Sequence, residues 1–211
     1  MASDATRLDH VYWLGGGSGG GKSTIARRIA DEFGMALYDT DTSMAAHAEE
    51  ASVADAPLID RFKRMSMDER WLLRSPEEML ASFHWFNGEA FDLILRDLRA
   101  YPHGTRVMVE GLRLLPHLVA PQLGSPSQAL WLLPTQDFRA AAFEARGTMW
   151  DIANRTSRPP EALQNLLDRD HLFTRRLEAE VRQLDLPLLI VDGQRSLDDT
   201  TRLVTEMMQL R

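Results

Sequence analysis

The chain has 211 residues, 44% of them hydrophobic, enough to bury one substantial core, and a single domain is the simplest reading. Its net charge of −7 and sequence pI of about 5.4 argue against nonspecific attraction to nucleic acid or anionic lipid. With no cysteine present, disulfides, thiolate metal sites and cysteine nucleophiles are excluded.

No apolar run approaches the roughly 18–20 residues that a membrane span needs. The first residues, MASDATRLDH, lack the basic start and apolar stretch of an export signal. A cytoplasmic location without membrane contact is therefore expected. No internal repeat is visible, and low complexity is confined to the glycine cluster at 15–21.

In chain order, Val11 to Leu14 reads as a buried strand. Ser23 to Phe33 reads as a helix, because Ile25, Ile29 and Phe33 recur every four residues, and Gly34 is its stop. Met35 to Tyr38 is a second short strand. Residues 43–74 read as helical and broken around Pro57. Ser75, Pro76 and Glu78 then form a capping-box start. From there Met79, Phe83, Phe86, Ala90, Ile94 and Leu98 predict one amphipathic helix running to about Ala100. Arg106 to Glu110 and Ala129 to Leu133 are further strands. Thr135 opens a helix that ends near Gly147, and Pro159-Pro160 introduces a long helix to about Leu184. Leu188 to Val191 is the last strand, and Ser196 to about Gln209 the last helix. Five apolar strands alternating with helices imply an α/β domain, a mostly parallel five-stranded sheet between two helical layers. Chemistry in such sheets gathers at the carboxyl ends of the strands.

Gly16-Gly17-Ser18-Gly19-Gly20-Gly21-Lys22-Ser23 fits G-x-x-x-x-G-K-[ST] and lies between a strand and a helix, the setting this phosphate-binding loop needs. Gly17, Ser18, Gly19, Gly20 and Gly21 would offer backbone N–H groups to phosphate oxygens at close range. Lys22 would neutralise the β- and γ-phosphates, the Ser23 hydroxyl would hold Mg²⁺, and Thr24 would meet the α-phosphate. The competing reading, a flexible Gly/Ser linker, does not require Lys-Ser at its exit.

With Tyr38-Asp39-Thr40-Asp41, this loop makes the chain resemble the P-loop kinase group of shikimate kinase, gluconate kinase, chloramphenicol phosphotransferase and the nucleoside monophosphate kinases. The resemblance implies the three-layer P-loop α/β/α fold, ATP and Mg²⁺ as cofactors, and transfer of the γ-phosphoryl group to a small-molecule substrate. By that resemblance Asp39 would hold Mg²⁺ or orient the acceptor, and Asp41 would bind substrate. A turn or helix cap explains the same Asp-Thr-Asp. A substrate-binding helical region at about 43–100 and a lid at about 146–160 follow from the same likeness. Lid arginines are sought in Arg146, Arg155 and Arg158, where they would stabilise the transferring phosphoryl group.

Glu110 stands at the end of the third strand, where this kinase group normally carries Asp. Gly111 follows and would let substrate approach the backbone. Arg113 could pair with an anionic substrate group or be a solvated helix-start residue. Arg169 and Asp170 lie on the long helix, where the apolar spacing predicts buried positions near Asp170 and Thr174, so that part would face the site. Asp192 and Gly193 resemble the loop that packs on adenine, though a plain turn explains them equally. His84, Trp85 and Asn87 lie off the apolar face of their helix and, like Trp71, could line an acceptor pocket in the 43–100 region, but they are assigned to exposed or peripheral packing, the commoner case for such residues. The absence of an N-K-x-D signature favours ATP over GTP. A nucleoside or nucleotide kinase remains an alternative and predicts an aromatic or amide-lined base pocket within 43–100. A regulatory ATPase is the other, and it would want a clear acidic Asp at the third strand. No nucleic-acid partner is expected, and the assembly is a monomer or homodimer.

Overall fold

A computed structural model describes residues 7–146 and 148–211. Three strands are buried almost throughout: β1 (Val11–Gly16), in which only Tyr12 is partly exposed, and the fully buried β3 (Val107–Glu110) and β4 (Ala129–Pro134). Side chains buried on both sides of a strand suit the middle of a parallel sheet, and the order is β2-β3-β1-β4-β5, with β2 (Ala36–Asp39) and β5 (Leu188–Val191) at the edges. Every pairing is parallel. The register sets Asp39 beside Glu110 and Leu14 beside Glu110, so the carboxyl ends of β1, β2 and β3 share one rim.

Alternation along β1 distributes the core. Val11 and Trp13 face one layer with Val109, Trp131 and Leu133, covered by α6 (Phe91–Arg99) and α10 (Pro159–Gln183). Leu14 faces the other with Met108, Leu130 and Leu132, covered by α1 (Lys22–Phe33) and α11 (Leu197–Met207). The expected three-layer α/β/α arrangement results. Gly34 ends α1 in the left-handed conformation, with φ of 62°.

Between β2 and β3 run α2 (Met44–Glu50), α3 (Pro57–Arg64), α4 (Met67–Trp71) and α5 (Pro76–Ser82). The capping box of Ser75 and Glu78 starts α5 as the spacing predicts. The single helix expected from Ser75 to about Ala100 is not formed. It divides into α5, a 3₁₀ turn at His84–Asn87, and α6. Gly88 and Ala90 take φ of +79° and +58°, which no helix interior accommodates. The periodic residues Met79, Phe86, Ala90, Ile94 and Leu98 are all buried, so the pattern marked a real apolar surface carried by two differently directed helices.

After β3 come α7 (Pro116–Val119) and two short 3₁₀ turns. After β4, α8 (Gln136–Arg146) and α9 (Thr148–Ala153) lead to α10, so the expected polar lid segment contains a short helix. No helix among the described residues is long and apolar enough to cross a membrane.

Candidate functional site

The loop between β1 and α1 closes over a helix start that no side chain caps. The first turn of α1 has no acidic residue, and Gly21 precedes it in the left-handed conformation. Its amides are thus free for an anion, reinforced by the helix dipole. Gly16 must be glycine: φ is +128°, and a Cβ there would lie 2.0 Å from the Leu132 carbonyl oxygen. Lys22 is 8% exposed, and its ammonium donates to the Gly17 carbonyl at 2.9 Å, bridging the mouth of the loop. Burial pushes its pKa down, while Glu110, Asp41 and Asp170 pull it back up. The cradle therefore fits a polyphosphate, whose charge would complete the compensation those three carboxylates begin.

The rim of the sheet brings two carboxylates to Lys22. Glu110 is 2% exposed and has its pKa raised by burial, against the opposing pull of Lys22 and of the nearby Ser23 hydroxyl. Asp41 is raised by burial as well, again opposed by Lys22. Asp41 is surface-exposed, whereas Glu110 is buried. Asp39 takes a different part. Its Oδ1 accepts the backbone N–H of Asp41 at 2.8 Å, the Asx turn that the alternative reading of Asp-Thr-Asp describes. Among the described residues no group of three or more His, Asp or Glu side chains is gathered to hold a metal. Ser23 beside Glu110 suits Mg²⁺ held mainly by phosphate oxygens and water, the usual manner of that ion.

Lys22, Ser23, Thr24, Asp41 and Glu110 open into a cleft of about 700 Å³. Its far wall is aromatic, built by Phe62, Trp71, Phe83, His84, Trp85 and Phe86. Phe62 meets Trp71 edge-on at 5.3 Å and Phe83 at 5.5 Å, and His84 lies 4.7 Å from Phe62. The peripheral assignment of Trp71, His84 and Trp85 is corrected: all three are buried and line the cleft. Asn87 is exposed and bonds the carbonyls of Ala81 and Phe83.

Arg169 and Asp170 join the same cleft from α10 as an ion pair at 2.6 Å. The Arg169 guanidinium lies 4.8 Å from the Phe83 ring centre and 5.1 Å from those of Trp71 and Phe86. Asp170 and Thr174 are buried, as the helical spacing predicted for these polar residues. Arg113 does not reach the cleft. It is 2% exposed behind the wall, donates to the Ala90 carbonyl and His47 Nδ1 at 3.1 Å, and stacks on Trp85 at 4.1 Å. Burial lowers its pKa to about 10. The space over Gly111 is not open to substrate either, because Thr40 fills it: a Cβ on Gly111 would lie 1.7 Å from Thr40 Oγ1.

The lid arginines are not drawn together. Arg155 and Arg158 are exposed, Arg158 pairing with Glu161 at 2.6 Å, and the side chain of Arg146 lies outside the described residues. Asp192 and Gly193 lie after β5, away from the cleft; Asp192 Oδ1 accepts the Gln194 N–H at 3.0 Å, and Gly193 packs beside Phe138. Sequence reasoning passed over Arg139. It is buried against the phosphate loop, donates from Nε to the Ser18 carbonyl at 3.3 Å and from Nη2 to the Thr174 hydroxyl, and leaves Nη1 without a partner among the described residues. The available signal was its position one turn after β4, four residues before the buried Phe143.

No protein-family model and no curated protein sequence matches the chain. Solved structures do share its architecture. TT1252 from Thermus thermophilus superposes with a TM-score of 0.53 at 17% identity, over 97% of this chain and all of that one (100%). The likeness is one of fold: a five-stranded parallel sheet flanked by helices. A deoxyadenosine kinase from M. mycoides with bound dATP gives a TM-score of 0.47 at 12% identity, covering 94% of this chain and 99% of that one. A shikimate kinase from Acinetobacter baumannii in complex with shikimate gives 0.42 at 14%, covering 98% and 94%. At such scores these two bear on no question of substrate.

Proposed function

We propose that the chain is an ATP-dependent kinase that moves the γ-phosphoryl group to an oxygen of a small molecule. The observation that carries this reading is one shared cleft: the uncapped phosphate loop and the aromatic chamber face each other across Lys22, Asp41 and Glu110. A nucleotide switch has no use for such a chamber beside its phosphates, whereas a kinase must hold an acceptor in line with the transferring group.

In this reading the amides of Gly17 to Thr24 and the Lys22 ammonium hold the phosphates. Arg139 Nη1, buried and unpartnered beside Ser18, supports the same charge. Ser23, with Glu110 behind it, would hold Mg²⁺, which supplies charge neutralisation when bound. Asp39 fixes the turn through the Asp41 amide. Asp41 and Glu110 both have raised carboxyl pKa values, which suits a base that takes a proton from an acceptor hydroxyl. Arg146, Arg155 and Arg158 remain part of the proposal only through closure of the segment after α8, which would also exclude water.

The test compares nucleotide binding with transfer. Saturating Mg·ATP at about a hundredfold over Kd should stabilise the wild type by about 2.7 kcal/mol, a rise in Tm of roughly 5–10 °C. Lys22→Ala should lose that protection. Asp41→Asn should keep it while phosphoryl transfer falls by about a hundredfold or more. Equal protection of Lys22→Ala and wild type would remove the reading.

A further inference from the structure

We propose that the aromatic half of the cleft is an acceptor subsite for an uncharged, flat heteroaromatic alcohol of nucleoside type, its ring edge read by His84 Nδ1 and an oxygen substituent by Arg169 Nη1. This rests on the kinase reading and names the substrate class of that site.

Two observations carry it. First, the wall is a set of rings packed edge to face, with the centres of Phe62, Trp71 and Phe83 separated by 5.3–5.8 Å. Such a surface offers aromatic area and few hydrogen-bonding atoms, so it packs against a flat ring, face or edge, and solvates a polyol poorly. Second, two side chains of this wall bury polar atoms that have no partner among the described residues: His84 Nδ1 and Arg169 Nη1. His84 is 4% exposed and Arg169 6% exposed. Buried polar atoms are nearly always paired, and both residues line the cleft, so these two atoms are candidates for pairing by a ligand. The other orphaned atoms do not belong to this chamber: Arg139 Nη1 stands at the phosphate loop, and Trp13, Thr40 and Gln122 lie outside the cleft lining.

The same wall argues against other acceptors. A sugar acid or polyol would bring several hydroxyls to two waiting partners. A cation would be repelled by the guanidinium groups that lie against this wall: Arg113 stacks on Trp85, Arg70 lies 4.6 Å from the Phe62 centre, and Arg169 lies against three rings. The imidazole itself stays uncharged through the neutral range, because burial and the cations Arg113, Arg70 and Lys63 lower its pKa to about 3. A neutral imidazole is suited to the donor–acceptor edge of a heteroaromatic ring.

Trp71 and Trp85 line the chamber, so tryptophan fluorescence reports its occupancy without needing turnover. The phosphate site is first filled with Mg·AMP-PNP, whose binding is measured separately by calorimetry. The common ribo- and deoxyribonucleosides are then titrated beside gluconate, shikimate and an aminoglycoside. Nucleosides should quench and the other probes should not. His84→Phe, which keeps a ring and loses Nδ1, should weaken nucleoside binding by about tenfold or more, and His84→Gln should stay within about threefold of wild type. AMP-PNP affinity should be unchanged in both. Should His84→Phe not fold, Arg169→Met serves in its place with the same expected loss.

If AMP-PNP binds while no nucleoside quenches, or the sugar acids or the aminoglycoside quench instead, the proposal falls and the kinase reading survives. It falls too if nucleosides bind His84→Phe and wild type equally. If AMP-PNP itself does not bind, both readings fall.

Discussion

Gly111 holds the ends of β2 and β3 in close approach. It follows Glu110 at the end of β3, and its φ of +147° lies where side chains are rarely tolerated. The Thr40 side chain sits so near that a Cβ would come within 1.7 Å of Thr40 Oγ1 and 2.9 Å of Thr40 Cβ. Relief by rotating Thr40 is poor, since its Cγ2 would also stand at 3.3 Å. Gly111→Ala should therefore separate the ends of β2 and β3 and displace Glu110 from Ser23. The expected cost is about 2–4 kcal/mol, combining overpacking with backbone strain. Urea denaturation measures the stability, and Mg·ATP affinity by calorimetry should weaken in parallel. A variant as stable as wild type would show that the close approach is not structural. The sequence marked Gly111 as special for another reason, room for substrate. A glycine after a strand reads the same whether the missing side chain makes way for a ligand or for a threonine seventy-one positions earlier, and only the fold distinguishes them.

At the scale of elements, the legible parts were those with local causes. The phosphate loop announces itself because its glycines, lysine and serine are contiguous, and the five strands because each is a short apolar run bounded by turns. The aromatic chamber was illegible because Phe62, Trp71, Phe83 and Trp85 meet only after α3, α4 and the 3₁₀ turn fold together. Its orientation depends on the break at Gly88 and Ala90, and a periodicity count sees no break when both halves bury the same residue types. The lid segment adds a contact that no motif predicts. Asp68 on α4 accepts the Ser157 N–H at 2.7 Å and its hydroxyl at 2.5 Å, and these bonds hold the Asp68 carboxyl below the usual range. This ties the segment between α9 and α10 to the acceptor-side helices. Asp68→Ala should leave global stability nearly unchanged, because the contact is fully exposed and screened by solvent. Local opening should rise, seen as faster tryptic cleavage after the exposed Arg155. Unchanged cleavage would mean that the contact restrains nothing.

Across the whole molecule, burying ionisable groups in one cleft sets how folding responds to pH. Three of them pull in two opposite directions. His84 has a folded pKa of about 3 against an ordinary 6.5. Between those values the unfolded chain carries a proton that the folded chain lacks, so stability rises with pH across that window and is lost as pH falls through it. Glu110 and Asp41 act oppositely. Their folded pKa values lie above the ordinary 4.5 and 3.8, so as pH falls the folded chain takes up their protons first and is stabilised relative to the unfolded one. The wild-type profile is thus a sum, and its slope alone cannot identify a residue. The difference between wild type and His84→Gln isolates the imidazole, since the carboxyls are common to both. From about pH 4 to 6 the wild type should gain stability more steeply than the variant, by up to about 1.4 kcal/mol per pH unit, the limit for one proton. Urea midpoints taken at half-unit pH intervals measure that difference. Parallel profiles would show that His84 is charged when folded, and a protonated imidazole at that wall would need a carboxylate partner that the structure does not place there.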